Sequence, residues 1–244
     1  MDYFCHRYYF SLYYLFSMSF LENKFFYFIL LFITILYPLL QSFEWRIKYH
    51  TKWKKVFVSA FVMMLLFIPW DIWFTKQAIW SFNKSYTIGL SIFLLPIEEW
   101  LFFIIVPFSC VFIYEVLNYF FTTELEQEPY RYIFYFFSII LAILSVIYAD
   151  RLYTLVCFSL CSAAVFMVAL HSPKWMGCFF RTYLVSLIPF LLINGFLTGS
   201  FTDQAVVNYH SAEIIGLRIL NIPIEDTIYN LLMLLVVIAT YNRK

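Results

Sequence analysis

The sequence predicts an all-α integral membrane protein of about seven transmembrane helices, arranged as two parallel three-helix repeats joined by one linking helix. Three observations carry this. Of the 244 residues, 64% are hydrophobic and 13% charged, where ordinary soluble domains average about 45–50% and 25%. Apolar stretches close to the roughly 20 residues that cross a hydrocarbon core recur along the chain. A stretch of 26 residues also returns at an offset of 127 positions. So little charge cannot cover a soluble globule, which excludes disorder, nucleic-acid binding and an ordinary cytosolic enzyme. A net charge of +1 gives no electrostatic case for an anionic partner. The 31 Phe, 20 Tyr and 7 Trp exceed what membrane spans need and require their own explanation.

The spans fall near 25–40, 55–70, 98–119, 131–148, 152–170, 180–197 and 225–241. The first two are short, and flanking aromatics complete them. Residues 1–24 form an N-terminal extension. Its apolar part, 8–20, is too short to cross and reads as interfacial, and Met18 competes with Met1 as the start. No small-residue cleavage site marks a signal peptide. The remaining divisions are a first repeat at 25–120, a linking helix within 121–150 and a second repeat at 151–244. With the N-terminus outside, 10 of the 16 Lys and Arg residues fall in inner loops, five of them in the short loop FEWRIKYHTKWKK at 43–55. The positive-inside rule therefore predicts N-out and C-in.

The repeat aligns FTKQAIWSFNKSYTIGLSIFLLPIEE (74–99) with FTDQAVVNYHSAEIIGLRILNIPIED (201–226), with 11 identities in 26 positions. The same offset superposes the three spans on either side. A three-helix unit ends on the side opposite its start, so one added span restores the orientation of the second unit. The two PIE[ED] motifs are then expected at one membrane depth, on the outer side, facing across a pseudo-two-fold axis.

These motifs carry the candidate chemistry: Glu98, Glu99, Glu225 and Asp226. Proline suits a first helical position, and acids suit a first turn beside the helix dipole, so capping alone would explain them. Their flanks, SIFLL and WLFFIIVPF in one repeat and ILNI and TIYNLLMLL in the other, are apolar. An ionised acid at depth costs about 2.5–3.5 kcal/mol, which favours a functional role. Adjacent helical residues diverge, so a close pair must form across the repeats. A protonated acid beside an ionised one is the arrangement for general acid–base work. Asn230, one turn past Asp226, is placed to orient a carboxyl. Asp71 reads as a boundary residue at the end of the second span. Glu115 either snorkels or pairs with Arg131.

Other chemistries lack their residues. The five cysteines form no CxxC, the four histidines no cluster, and the glycines no GxGxxG. No DDxxD-like run offers a magnesium–diphosphate site. The expectation is no metal and no cofactor.

DIWFTKQAIWSFN (71–83), Gly89 and LPIEEWLFFIIVPFSCVFIYE (95–115) resemble the first half of the heterodimer-type lycopene cyclases of carotenoid biosynthesis. GSFTDQAVVNYH (199–210) and NIPIEDTIYNLL (221–232) resemble the second half. In that family the halves occur as separate subunits or fused in one chain. The resemblance covers about 25–241 and implies a flavin-free isomerase that closes β-rings on lycopene or a related acyclic-ended carotene. It implies catalytic roles for Glu98, Glu99, Glu225 and Asp226. Protonation of an alkene, attack by a second alkene and loss of a ring proton need an acid, a base and walls that tolerate a cation. Aromatic faces attract cations, and Trp73, Trp80, Trp100, Phe102, Phe103 and Tyr229 lie near the motifs. The same rings also suit an interfacial aromatic belt. The implied partners are the carotenoid, the lipid bilayer and other carotenoid-pathway enzymes, with no nucleic acid. The competing readings are a proton-coupled small-molecule transporter and a non-catalytic carotenoid-binding membrane protein.

Overall fold

The computed structural model describes residues 23–122 and 125–243. The interfacial segment at 8–20 and the choice of start lie outside the described residues. Seven helices are found among those described: α1 (Phe26–Gln41), α2 (Trp53–Lys76), α3 (Ile97–Phe120), α4 (Gln127–Ile147), α5 (Leu152–His171), α6 (Met176–Leu197) and α7 (Ile224–Tyr241). All but α1 are long and apolar enough to cross a membrane. The protein is an all-α, multi-span membrane protein. The largest shift from the expected bounds is in α2, which runs on to Lys76 because Ile72, Trp73 and Phe74 extend its apolar character past Asp71.

The helix α7 lies at the centre, packed against α2, α3, α5 and α6. The linking helix α4 packs chiefly on α5, where Ser138 and Ser162 exchange side-chain and carbonyl hydrogen bonds at 2.8–2.9 Å. Prolines 38, 69, 107 and 189 lie inside helices. A helical proline has no N–H and leaves the carbonyl four residues earlier without its usual partner. Thr34 O, released by Pro38, accepts instead from Ser109 Oγ of α3 at 3.2 Å. Neighbouring helices supply such partners inside membranes.

The two repeats share even their loops at the 127-residue offset. Strand β1 (Trp80–Phe82), a 3₁₀ turn at Lys84–Tyr86, and strands β2 (Ser91–Ile92) and β3 (Leu95–Pro96) precede α3. Strand β4 (Val207–Tyr209), a 3₁₀ turn at Ser211–Glu213, and strands β5 (Arg218–Ile219) and β6 (Ile222–Pro223) precede α7. Gly89 and Gly216 take the same left-handed φ, +91° and +90°. Pro96 and Pro223 stand one residue before their helices, as the last strand residues, rather than at the first helical position. The hairpin tips expose Phe93, Leu94 and Leu220.

Strands β1 and β4 pair with each other, antiparallel. Trp80 lies opposite Tyr209, Ser81 opposite Asn208 and Phe82 opposite Val207. Under the repeat offset Ser81 is equivalent to Asn208, so the pseudo-two-fold axis passes between them. The flanking bonds obey the same symmetry: Asn83 N donates to Val206 O and His210 N to Ile79 O, both at 2.8 Å. This ribbon closes the seam between the repeats over the acidic motifs.

At the opposite end of α3, Glu115 pairs with Lys52 and accepts from Tyr241 Oη at 2.6 Å. The expected partner, Arg131, bonds Glu128 instead, at 3.5 Å. Proximity along the chain is overruled because α2, α3 and α7 converge there.

Candidate active site

Each acidic pair sits in the first turn of its helix, directly after a hairpin. Successive helical side chains point about 100° apart, so the two acids of a pair separate. The first of each turns back into its own loop. Glu98 Oε1 accepts from Ile88 N and Glu225 Oε1 from Ile215 N, each at 2.7 Å. Glu225 also accepts from Thr154 Oγ1 at 2.6 Å. Ile88 and Ile215 are equivalent in the repeat, so both acids pin the same loop.

The second acid of each pair turns inward. Glu99 and Asp226 line one cavity of about 50 Å³ at the seam, beneath Trp80, Phe82, Val207 and Tyr209 of the ribbon. A third acid, Asp71 of α2, joins them there. Among the lining residues there is no Lys, Arg or His. The three acids hold different partners. Asp226 accepts from Tyr153 Oη at 2.8 Å, Asn194 Nδ2 at 2.7 Å and Tyr209 Oη at 2.9 Å. Glu99 accepts from Tyr27 Oη at 2.8 Å, and Asp71 from Tyr229 Oη at 2.8 Å. Tyr209 stands outside the helices. Desolvation, reinforced by Asp226, holds its hydroxyl well above the usual tyrosine range, so it remains a donor.

Rings form the walls. Tyr153 stacks on Tyr209 with centroids 6.0 Å apart and an 8° tilt. Trp80 meets Tyr153 edge-on at 5.3 Å, and Tyr229 packs against Phe67 and Trp70 at 5.0 Å.

Of the residues singled out from the sequence, Glu99, Asp226, Trp80, Phe102 and Tyr229 meet in this cavity. Glu98 and Glu225 lie behind it. Phe103 is fully buried against Phe67 and Phe102. Trp100 braces the hairpin, its Nε1 donating to Ile92 O at 3.3 Å. Trp73 is on the outer face of α2, 42% exposed. Asn230 is buried without a hydrogen bond to Asp226; Asn194, from a different helix, holds that carboxylate. Asn194, Tyr27, Tyr153 and Tyr209 are polar lining residues that the sequence did not single out, and Asp71, expected as a boundary residue, lines the cavity with them. For Asp71 a signal exists: it is an acid with apolar residues on both sides, like the motif acids.

Fold and site define a class: a multi-span helical membrane protein built of two repeats, with a ring-walled acidic cavity at their seam. The model of the lycopene cyclase family matches residues 23–117 and 150–243, the two repeats without the linking helix. The chain belongs to the lycopene cyclase family. It is similar to a bifunctional lycopene cyclase/phytoene synthase of Arthroderma gypseum, 31% identical over 88 residues, covering 36% of this chain and 14% of that protein. A protein of the same description from Aspergillus oryzae is 28% identical over 94 residues, covering 37% of this chain and 16% of its own length. The match thus spans a small part of either relative. No solved structure matches the chain.

Proposed function

We propose that this protein is an isomerase that closes β-rings on the acyclic ends of lycopene, giving γ- and β-carotene, by acid–base carbocation chemistry without a cofactor. One observation carries the reading: equivalent acids of the two repeats, Glu99 and Asp226, share a cavity that has aromatic walls and no basic residue. A carboxyl there protonates the terminal double bond of the polyene. The next alkene attacks the cation and forms the ring carbon–carbon bond. A carboxylate then removes a ring proton. One proton is gained and one lost, so the product is an isomer.

The hydrogen bonds suggest which acid does which. Three donors on Asp226 stabilise a carboxylate, which suits it to attract the cation and take the ring proton. Glu99, with one donor, is left as the acid. Asp71 adds negative charge against the developing cation through the Tyr229 side. Ring faces contribute through their quadrupoles. Glu98 and Glu225 support the site by fixing the loops rather than by touching substrate. The bilayer holds the protein and its substrate, and the Lys and Arg distribution orients the chain N-out and C-in.

The test is expression in a bacterial host that accumulates lycopene, followed by pigment analysis. Monocyclic and bicyclic carotenes are expected. Unchanged lycopene, with the protein shown to be in the membrane, would sink the reading.

A further inference from the structure

A second cavity, also about 50 Å³, lies between α1, α3 and α6. It shares Phe102, Phe190 and Asn194 with the acid cavity, so the two adjoin. From that junction it follows α3 to Ile113, fourteen residues beyond Glu99, which is about 21 Å of helix. Its hydroxyls make no demand on a ligand. Thr34 Oγ1 donates to Leu30 O at 2.8 Å, Ser109 Oγ to Thr34 O at 3.2 Å and Ser186 Oγ to Tyr183 O at 3.0 Å. With those donors engaged, what remains is a hydrocarbon surface. The slot meets the outside of the bundle along its length, where Pro189 is exposed and Ile193 and, further along, Ile113 are half-buried. In a membrane that face meets lipid.

We propose that this slot is the polyene-binding subsite: it receives the conjugated hydrocarbon chain behind the ring-forming end and admits it end-first from the lipid. The proposal rests on the cyclase reading for the identity of the occupant. A wider apolar groove of about 610 Å³ exists between α4 and the second repeat, but it shares no lining residue with the acid cavity. A chain lying there would touch none of the residues that surround Glu99 in the acid cavity. The slot joins the acids to lipid, and Phe102 and Phe190 stand at the joint.

The test fills the far part of the slot and leaves the acids alone. Ser186→Phe and Ile113→Trp are compared with Leu184→Phe, which enlarges a side chain of the wide groove on the same helix. Each variant is produced in the lycopene-accumulating host, with its amount in the membrane measured. Isolated membranes are also given a shortened lycopene fragment that keeps one acyclic end. We expect the two slot variants to lose about 10–100-fold of lycopene conversion, to cyclise the short fragment as wild type does, and to co-purify less lycopene. Leu184→Phe should match wild type. Wild-type conversion of lycopene by both slot variants overturns the proposal. So does equal loss on the long and short substrates, which puts the damage in the acid cavity. If the wild-type protein retains lycopene but never converts it, the cyclase reading fails. The slot then stands or falls on whether Ser186→Phe and Ile113→Trp release that pigment.

Discussion

The two repeats agree where they build and differ where they meet the cavity. Glu98 and Glu225 make the same 2.7 Å bond to equivalent loop amides, and Gly89 and Gly216 take the same turn. Around the inward acids the likeness ends. Asp71 corresponds to Thr198, Asn194 to Phe67, and Tyr229 to Phe102. Asp226 gathers three donors, where its equivalent Glu99 has one. Even the shared tyrosine contact is shifted: Tyr27 aligns with Thr154, and the second repeat uses Tyr153 instead. A duplicated scaffold keeps its supports symmetrical. The proposed cyclisation needs an acid and a base, which a symmetrical pair of carboxyls would not distinguish.

Substitution of either inward acid should break the comparison most severely. Glu99→Gln and Asp226→Asn are expected to lose about 10²–10⁴-fold of cyclisation while remaining in the membrane, as read by pigment yield per unit of protein. Asn194→Ala removes a hydrogen bond to a charged group, worth about 1.5–3 kcal/mol. It should slow Asp226-dependent turnover and spare binding, visible as a fall in kcat with little change in KM. Asp71→Asn keeps the Tyr229 contact and removes one charge; about a tenfold loss is expected, roughly 1.4 kcal/mol of transition-state stabilisation. Glu98→Ala and Glu225→Ala should cost about 1–3 kcal/mol each by leaving a partly buried amide without its partner, measured by thermal unfolding in detergent. Their activity per folded molecule should fall less than that of Glu99→Gln. An equal fall would dissolve the distinction between supporting and reacting acids.

Much of the scaffold was legible because its signals are local. Apolar length gave seven helices, and the 127-residue offset paired the strands and 3₁₀ turn before α3 with those before α7. The cavity was legible only in part, because its composition depends on rotation and on distant helices. Glu98 and Glu99 look interchangeable in sequence, and one step of helix separates their roles. Asp71 resembled a span end because an acid follows Trp70, yet the helix continues for five residues beyond it. Asn230 lies on the helix of Asp226, but the amide that reaches the carboxylate comes from α6. Lys52 finds Glu115 across 63 positions, a pairing no spacing rule anticipates.

The β1–β4 ribbon has a consequence for the chain as a connected object. Ser81 meets Asn208, its own counterpart, as two copies of one subunit meet on a dimer axis. A join of that kind makes no use of the covalent link between the halves. Severing the chain near α4 would leave each fragment with its helices, its loop acid and one edge of the ribbon. Two such fragments made together carry what they need to find each other, and a cavity that belongs to neither alone would re-form where they zip.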